Sequence, residues 1–259
     1  MKKIFIIIFI MCSKYAFNQQ LSFSIDKTKF TKEFVLKALY SGDFQKESDL
    51  IKWKPELGSN ALVSDDGYCY TLLDSTILFK KDSLQMALVL FNTIQFIDSV
   101  GQTCPGCQPS DLGMALFKES KDSWVLMNFN RTVDRIGFSG VLPNPSIIEI
   151  GVKKYGVLFN QGDHSVSTVS NLGYLYSLDS VSFSKNLLNY IQNHAIEYFP
   201  QPLMLEGSLK VLKLKPEDDV FYPILITYKK VKYINEKSKV INSKTITYKC
   251  FDGYKWLID

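Results

Sequence analysis

The chain is 259 residues long, 46% apolar and 22% charged, with 14 glycines and 9 prolines, a composition that excludes intrinsic disorder and collagen-like or linker-dominated architectures. No apolar run approaches the roughly 18 to 20 residues that a membrane-spanning helix requires. The formal charge of +4 invites a nucleic-acid or anionic-membrane partner, but the first element of the chain carries most of that excess.

Lys2 and Lys3 precede an unbroken apolar run from Ile4 to Met11, which gives way to Ala16, Phe17, Asn18, Gln19 and Gln20. This is the pattern of a secretory signal peptide. Eight apolar residues make a helix of about 12 Å, less than half a bilayer core, so the segment is expected to be cleaved near Asn18 rather than kept as an anchor. Lipid attachment through Cys12 is disfavoured, because Phe9, Ile10 and Met11 stand where small residues are expected. Cleavage takes Lys2, Lys3 and Lys14 from the 30 basic residues and leaves 27 against 26 acidic ones, a net charge of +1. That balance argues against a nucleic-acid partner.

Residues 19–259 read as a single β-rich domain. Over Thr31–Tyr40, Phe30, Phe34 and Ala38 fall four apart, as do Val35 and Leu39, which predicts an amphipathic helix capped by Thr31 and ended by a left-handed Gly42. Asp65, Asp66 and Gly67 predict a tight turn rather than a calcium loop. Strands follow near Tyr68–Leu73, Thr76–Phe79, Met86–Phe96, Met114–Lys118, Trp124–Phe129, Ile147–Ile150, Tyr155–Phe159, Gly173–Leu178 and Leu209–Leu214. Met86–Phe91 is apolar on both faces, which places it at the centre of a sheet. Leu187, Leu188, Ile191 and Ala195 predict a second helix over Ser184–His194. Phe221–Ile234 and Val240–Phe251 predict a half-buried antiparallel hairpin, followed by an Asp252-Gly253 turn and a last strand at Trp256 and Leu257. The expected fold class is α+β, mostly antiparallel sheet with about two helices.

Cys104 and Cys107, two residues apart, have the spacing of dithiol redox catalysts and zinc knuckles. Their surroundings read as a loop, lacking the strand and helix N-terminus that would activate Cys104 as a thiolate. Export favours disulfides, paired as Cys104 with Cys107 and Cys69 with Cys250. Four mature thiols could hold zinc, but Cys69 and Cys250 form no second knuckle, so neither metal nor cofactor is expected. The two histidines, His164 in a polar loop and His194 near a helix end, exclude a three-imidazole metal centre; His164 is at most a general base. Among carboxylates, Glu149, Glu197 and Glu206 single out no catalytic pair.

The carboxy-terminal hairpin interleaves Lys229, Lys232 and Lys239 with Tyr233, a ribbon suited to an acidic glycan or peptide or, more simply, lysines that protect a strand edge. Taken together, the residues predict an exported, non-catalytic envelope or extracellular protein that binds a protein or glycan partner without a transmembrane anchor. The alternative is a thiol-disulfide oxidoreductase in which Cys104 attacks and Cys107 resolves.

Overall fold

The structure is a computed structural model and describes residues 23–95, 110–137, 140–165, 168–178, 186–197, 203–213, 222–234, 237–250 and 256–258; several strands beyond residue 160 are described by backbone pairing alone. Two antiparallel sheets dominate it, and their strands follow chain order almost throughout. The first holds β1 (Ser24–Asp26), β2 (Gly42–Gln45), β3 (Leu50–Trp53), β4 (Cys69–Lys81), β5 (Leu84–Ile94), β6 (Ser110–Glu119) and β7 (Ser123–Ile136), in the order β1-β7-β6-β5-β4-β3-β2. The second runs as a meander through β8 (Asn144–Gly151), β9 (Lys154–Ser165), β10 (Thr168–Ser177), β11 (Asn186–Glu197), β12 (Leu203–Val211), β13 (Ile224–Ile234), β14 (Lys237–Cys250) and β15 (Trp256–Ile258).

One α-helix, α1 (Lys32–Leu39), lies among the described residues. Thr31 caps it as expected, accepting the Phe34 N–H at 3.4 Å. Its buried stripe is Val35, Leu36 and Leu39, while Phe34 remains 40% exposed. The expected pairing of Phe34 with Ala38 is therefore off by one position around the helix. Gly42 is not a helix terminator: Tyr40 closes the helix in extended conformation, and Gly42 opens β2 where a Cβ would strike the Lys52 carbonyl. The requirement there is close strand approach, not a left-handed backbone.

The layers follow from which faces are apolar. Strands β5 and β6 are buried on both faces, as the unbroken run from Met86 to Phe91 predicts. Ala87, Val89, Phe91, Ala115 and Phe117 pack toward α1; Leu88, Leu90, Leu112, Met114 and Leu116 pack against Val157, Phe159 and Tyr176 of the second sheet. The alternation that sends odd and even residues to opposite sides thus gives a helix–sheet–sheet stack. The second sheet curls in turn, since Ile224 and Ile226 of β13 meet Leu158 and Leu175 of β9 and β10, and the Tyr222 N–H reaches the Ile150 carbonyl.

The second expected helix does not form, because residues 186–197 are β11, paired with β10 and β12. Its register explains the misreading: Leu187 and Gln192 are extra residues opposite β10, so the two-residue alternation slips twice and imitates helical spacing. The α+β expectation with two helices gives way to a mostly antiparallel β structure with one α-helix among the described residues. His164 consequently lies in β9, opposite Val169, rather than in a loop, and His194 lies in β11, opposite Ser170, rather than at a helix end. The Asp65–Gly67 turn forms, closed by the Gly67 N–H on the Ser64 carbonyl. The Asp252-Gly253 turn lies outside the described residues.

Cys69 is a free thiol buried in the α1 core, so the expected bridge to Cys250 is absent. Trp53, on the adjacent strand, is its cross-strand neighbour, while Cys250 belongs to β14 in the other sheet. Burial, reinforced by the charges of Asp111 and Asp66, pushes the Cys69 thiol up to about 12. Its folded value thus lies above the ordinary 9.0, so the associated stability is intact below pH 9 and is lost as pH rises toward 12. Iodoacetamide at pH 8 should leave Cys69 unmodified in the native chain and label it fully in urea, read by peptide mass mapping. Substantial native labelling would contradict this burial.

Candidate functional site

A concavity arises where the first sheet curls around α1. Tyr40, just past the helix, packs at a tilt on Trp53 of β3 at 5.3 Å and edge-to-face on Phe129 of β7 at 5.4 Å, although three strands separate β3 from β7. The two sides of the sheet therefore approach each other, and an open cleft of about 1160 Å³ remains at the mouth, lined by β7 residues 129–135, Asp111, Trp53 and the loop through Glu56, Asn60 and Ala61. Mouths of curled sheets are a common location for ligand sites.

A bulge aims so many β7 residues at one cleft. Leu112 pairs with Asp134 but Met114 with Asn130, so residues 131–133 stand opposite Gly113 alone. Bulges of this kind re-aim side chains. The Asn130 carboxamide oxygen accepts the Thr132 N–H at 3.0 Å and holds the irregular backbone in place. Gly113 makes it possible, because a Cβ there would lie 2.8 Å from both the Arg131 carbonyl and the Tyr40 hydroxyl.

Two arginines on this segment have different partners. The Arg135 Nε donates to the wholly buried Asp111 at 2.7 Å and its Nη2 donates to the Asn60 carbonyl at 3.0 Å, while Asp111 also accepts the Leu62 N–H. This pair clamps the base of the 54–64 loop to β6 and β7. Asp134 accepts the Tyr176 hydroxyl at 2.7 Å, joining the cleft to the second sheet; burial and then Asp134 hold that phenol well above its usual range.

Arg131 lies beside the Tyr40–Trp53 ring pair, its guanidinium 5.3 Å from the Trp53 ring centre and 5.7 Å from that of Tyr40. Its Nη2 donates to the Leu39 carbonyl at 3.3 Å, and its buried Nε has no partner. Trp53 is itself fixed by a buried chain in which its Nε1 donates to the Thr71 hydroxyl at 2.8 Å and Thr71 meets Thr93 at 2.7 Å. The outward Nη1 of Arg131 faces Glu56 at 3.8 Å, a charge contact too long for a hydrogen bond.

None of the residues singled out from sequence lies in this cleft. Cys104 and Cys107 lie outside the described residues. The structure brings Lys232 opposite Lys239 and Tyr233 opposite Ser238 on the paired β13 and β14, with Lys229 exposed. Strand β15 covers only Tyr248–Cys250, so among the described residues the rest of β14, with Lys239, is an edge, whereas Lys229 and Lys232 lie on β13, which is paired on both sides. Glu149 is committed to Lys213 at 2.5 Å. Among the described residues no group of three His, Cys, Asp or Glu side chains could hold a metal ion, and no helix is long and apolar enough to cross a membrane.

The missed signal was compositional. Of 30 basic residues, 28 are lysines; the only two arginines in the chain are Arg131 and Arg135, and both line this cleft. A guanidinium provides a planar donor fork and stacks on aromatic rings, which an ammonium does not. Arginine confined to one site of a lysine-biased chain therefore marks where that geometry is required. No family model matches the chain, nor does any curated protein or solved structure.

Proposed function

We propose that the chain is an exported, non-catalytic binding protein whose ligand site is the cleft at the mouth of the curled first sheet. The observation that carries this reading is the concentration of both arginines beside Trp53 and Phe129 in one open concavity. Such a mixture of apolar walls with a few fixed polar groups is how small-molecule sites give both affinity and orientation. Export rests on the amino-terminal pattern of Lys2, Lys3 and the Ile4–Met11 run.

A thermal-shift screen of sugars, amino acids and carboxylic acids tests the site. At least one compound should raise Tm in a concentration-dependent way, and Phe129→Ala should abolish that shift. Compounds that stabilise Phe129→Ala as well as wild type would reject the cleft, and mass-spectrometric conversion of the bound compound would reject a non-catalytic role. Amino-terminal sequencing of the protein from its native host should begin close to Gln19. Disulfide exchange with a test substrate, lost in Cys104→Ser, would favour the oxidoreductase instead.

A further inference from the structure

The geometry points to a ligand that bears a single carboxylate, which takes the place of Glu56 on the Nη1 edge of Arg131; this rests on the cleft being the ligand site. Arg131 rests against the Trp53 and Tyr40 ring pair and donates from Nη2 to the Leu39 carbonyl, which leaves its Nη1 edge to face outward. Among the described residues only Glu56 faces that edge. Its side chain is 88% exposed, its distance of 3.8 Å exceeds hydrogen-bond range, and its neighbour Leu57 at the loop tip is fully exposed. Such a pair is weak and replaceable. Arg135, in contrast, is already bonded to the buried Asp111 and to Asn60.

Charge selects the class of anion. Two guanidiniums face three carboxylates, those of Glu56, Asp111 and Asp134. Exchange of the Glu56 carboxylate for a ligand carboxylate leaves that balance unchanged, whereas a phosphate dianion would add a negative charge beside Asp111 and Asp134. A planar carboxylate also matches the guanidinium fork, and Phe129 and Val133 provide apolar surface for the body of the ligand. Glu56 is thus a placeholder, tethered at the rim by a loop whose base is clamped by Arg135 and Asp111.

The test exploits the two arginines, which give only two Nε–H resonances in the full-length chain, assigned with Arg135→Lys. Benzoate and glucuronate should shift the Arg131 resonance saturably, whereas benzamide, glucose and inorganic phosphate should not. Glu56→Gln removes the competitor and should tighten carboxylate binding about two- to five-fold, the strength of an exposed ion pair. Arg131→Lys should weaken it about tenfold or more. Glu56 is exposed, so its variant keeps the fold and carries the test even where Arg131→Lys destabilises the chain. Unchanged or weaker binding in Glu56→Gln, absence of any carboxylate response, or phosphate binding tighter than benzoate would overturn the proposal. Where benzamide or glucose instead shifts Arg131 as strongly, the cleft is still a ligand site and the carboxylate preference alone fails. Should the mixed screen also yield no Phe129-dependent compound, the ligand-site reading fails with it.

Discussion

Asp111→Ala should lower stability by about 2–4 kcal/mol, seen as a reduced urea midpoint, with faster amide hydrogen exchange over residues 54–64. Asp111 is wholly buried and accepts from Leu62 N–H and Arg135 Nε. Its removal leaves a buried backbone donor unpaired, which costs about 1–3 kcal/mol, and loses a charge-assisted bond. The Arg135 side chain is 44% exposed, so water compensates part of its lost partner, and the effect falls short of the roughly 3–5 kcal/mol typical of a broken fully buried pair. Asp111→Asn should recover part of the loss, since an amide oxygen can still accept one of the two bonds. A change below about 0.5 kcal/mol in Asp111→Ala, the usual range for surface substitutions, would mean that this carboxylate does not clamp the loop.

The clamp also shows which parts of the structure were legible in the sequence. Periodicity located α1 and the doubly buried β5, because there the apolar spacing reports on which face is covered; the β13–β14 pairing also forms, but residues 240–245 of β14 are exposed on both faces rather than half-buried as expected. Thr76–Phe79 and Tyr68–Leu73 read as two strands because Asp74 interrupts the alternation; the structure runs them together as β4 with an irregularity between Leu73 and Ser75. At β11 a comparable slip had the larger consequence, turning a strand into an expected helix. Irregular register defeats a reading based on period, whereas regular strands satisfy it.

The cleft was illegible for a related reason. Its members Trp53, Asp111 and Arg131 come from β3, β6 and β7, brought together by sheet curvature that no local spacing encodes. Motif reading favours short signatures such as Cys104 with Cys107, but this site has none. The arginine count was available from composition, yet it acquires meaning only once both residues are seen facing one concavity. The same bulge that hides the site from periodicity creates it, which makes its geometry the most sensitive point of the first sheet.

Gly113→Ala should therefore destabilise the chain by about 2–3 kcal/mol, although strand propensity alone predicts a gain of about 0.5–1 kcal/mol from replacing an interior glycine. The sign is decided by packing. An added Cβ would lie 2.8 Å from the Arg131 carbonyl, 2.8 Å from the Tyr40 hydroxyl and 3.1 Å from the Phe91 Cβ. The first of these is backbone and cannot rotate away, and Tyr40 is wholly buried against Trp53, Phe91 and Phe129. Inserting even one methyl into such a core typically costs about 1–3 kcal/mol, and here relief requires β7 to move at its bulge. That movement carries Arg131 with it, so Gly113→Ala should also shift the Arg131 Nε–H resonance while leaving that of Arg135 close to its native position. Equal or greater stability in Gly113→Ala, with an unmoved Arg131 signal, would show that the bulge does not depend on the absent side chain. The cleft would then have to be explained by the curvature of the sheet alone.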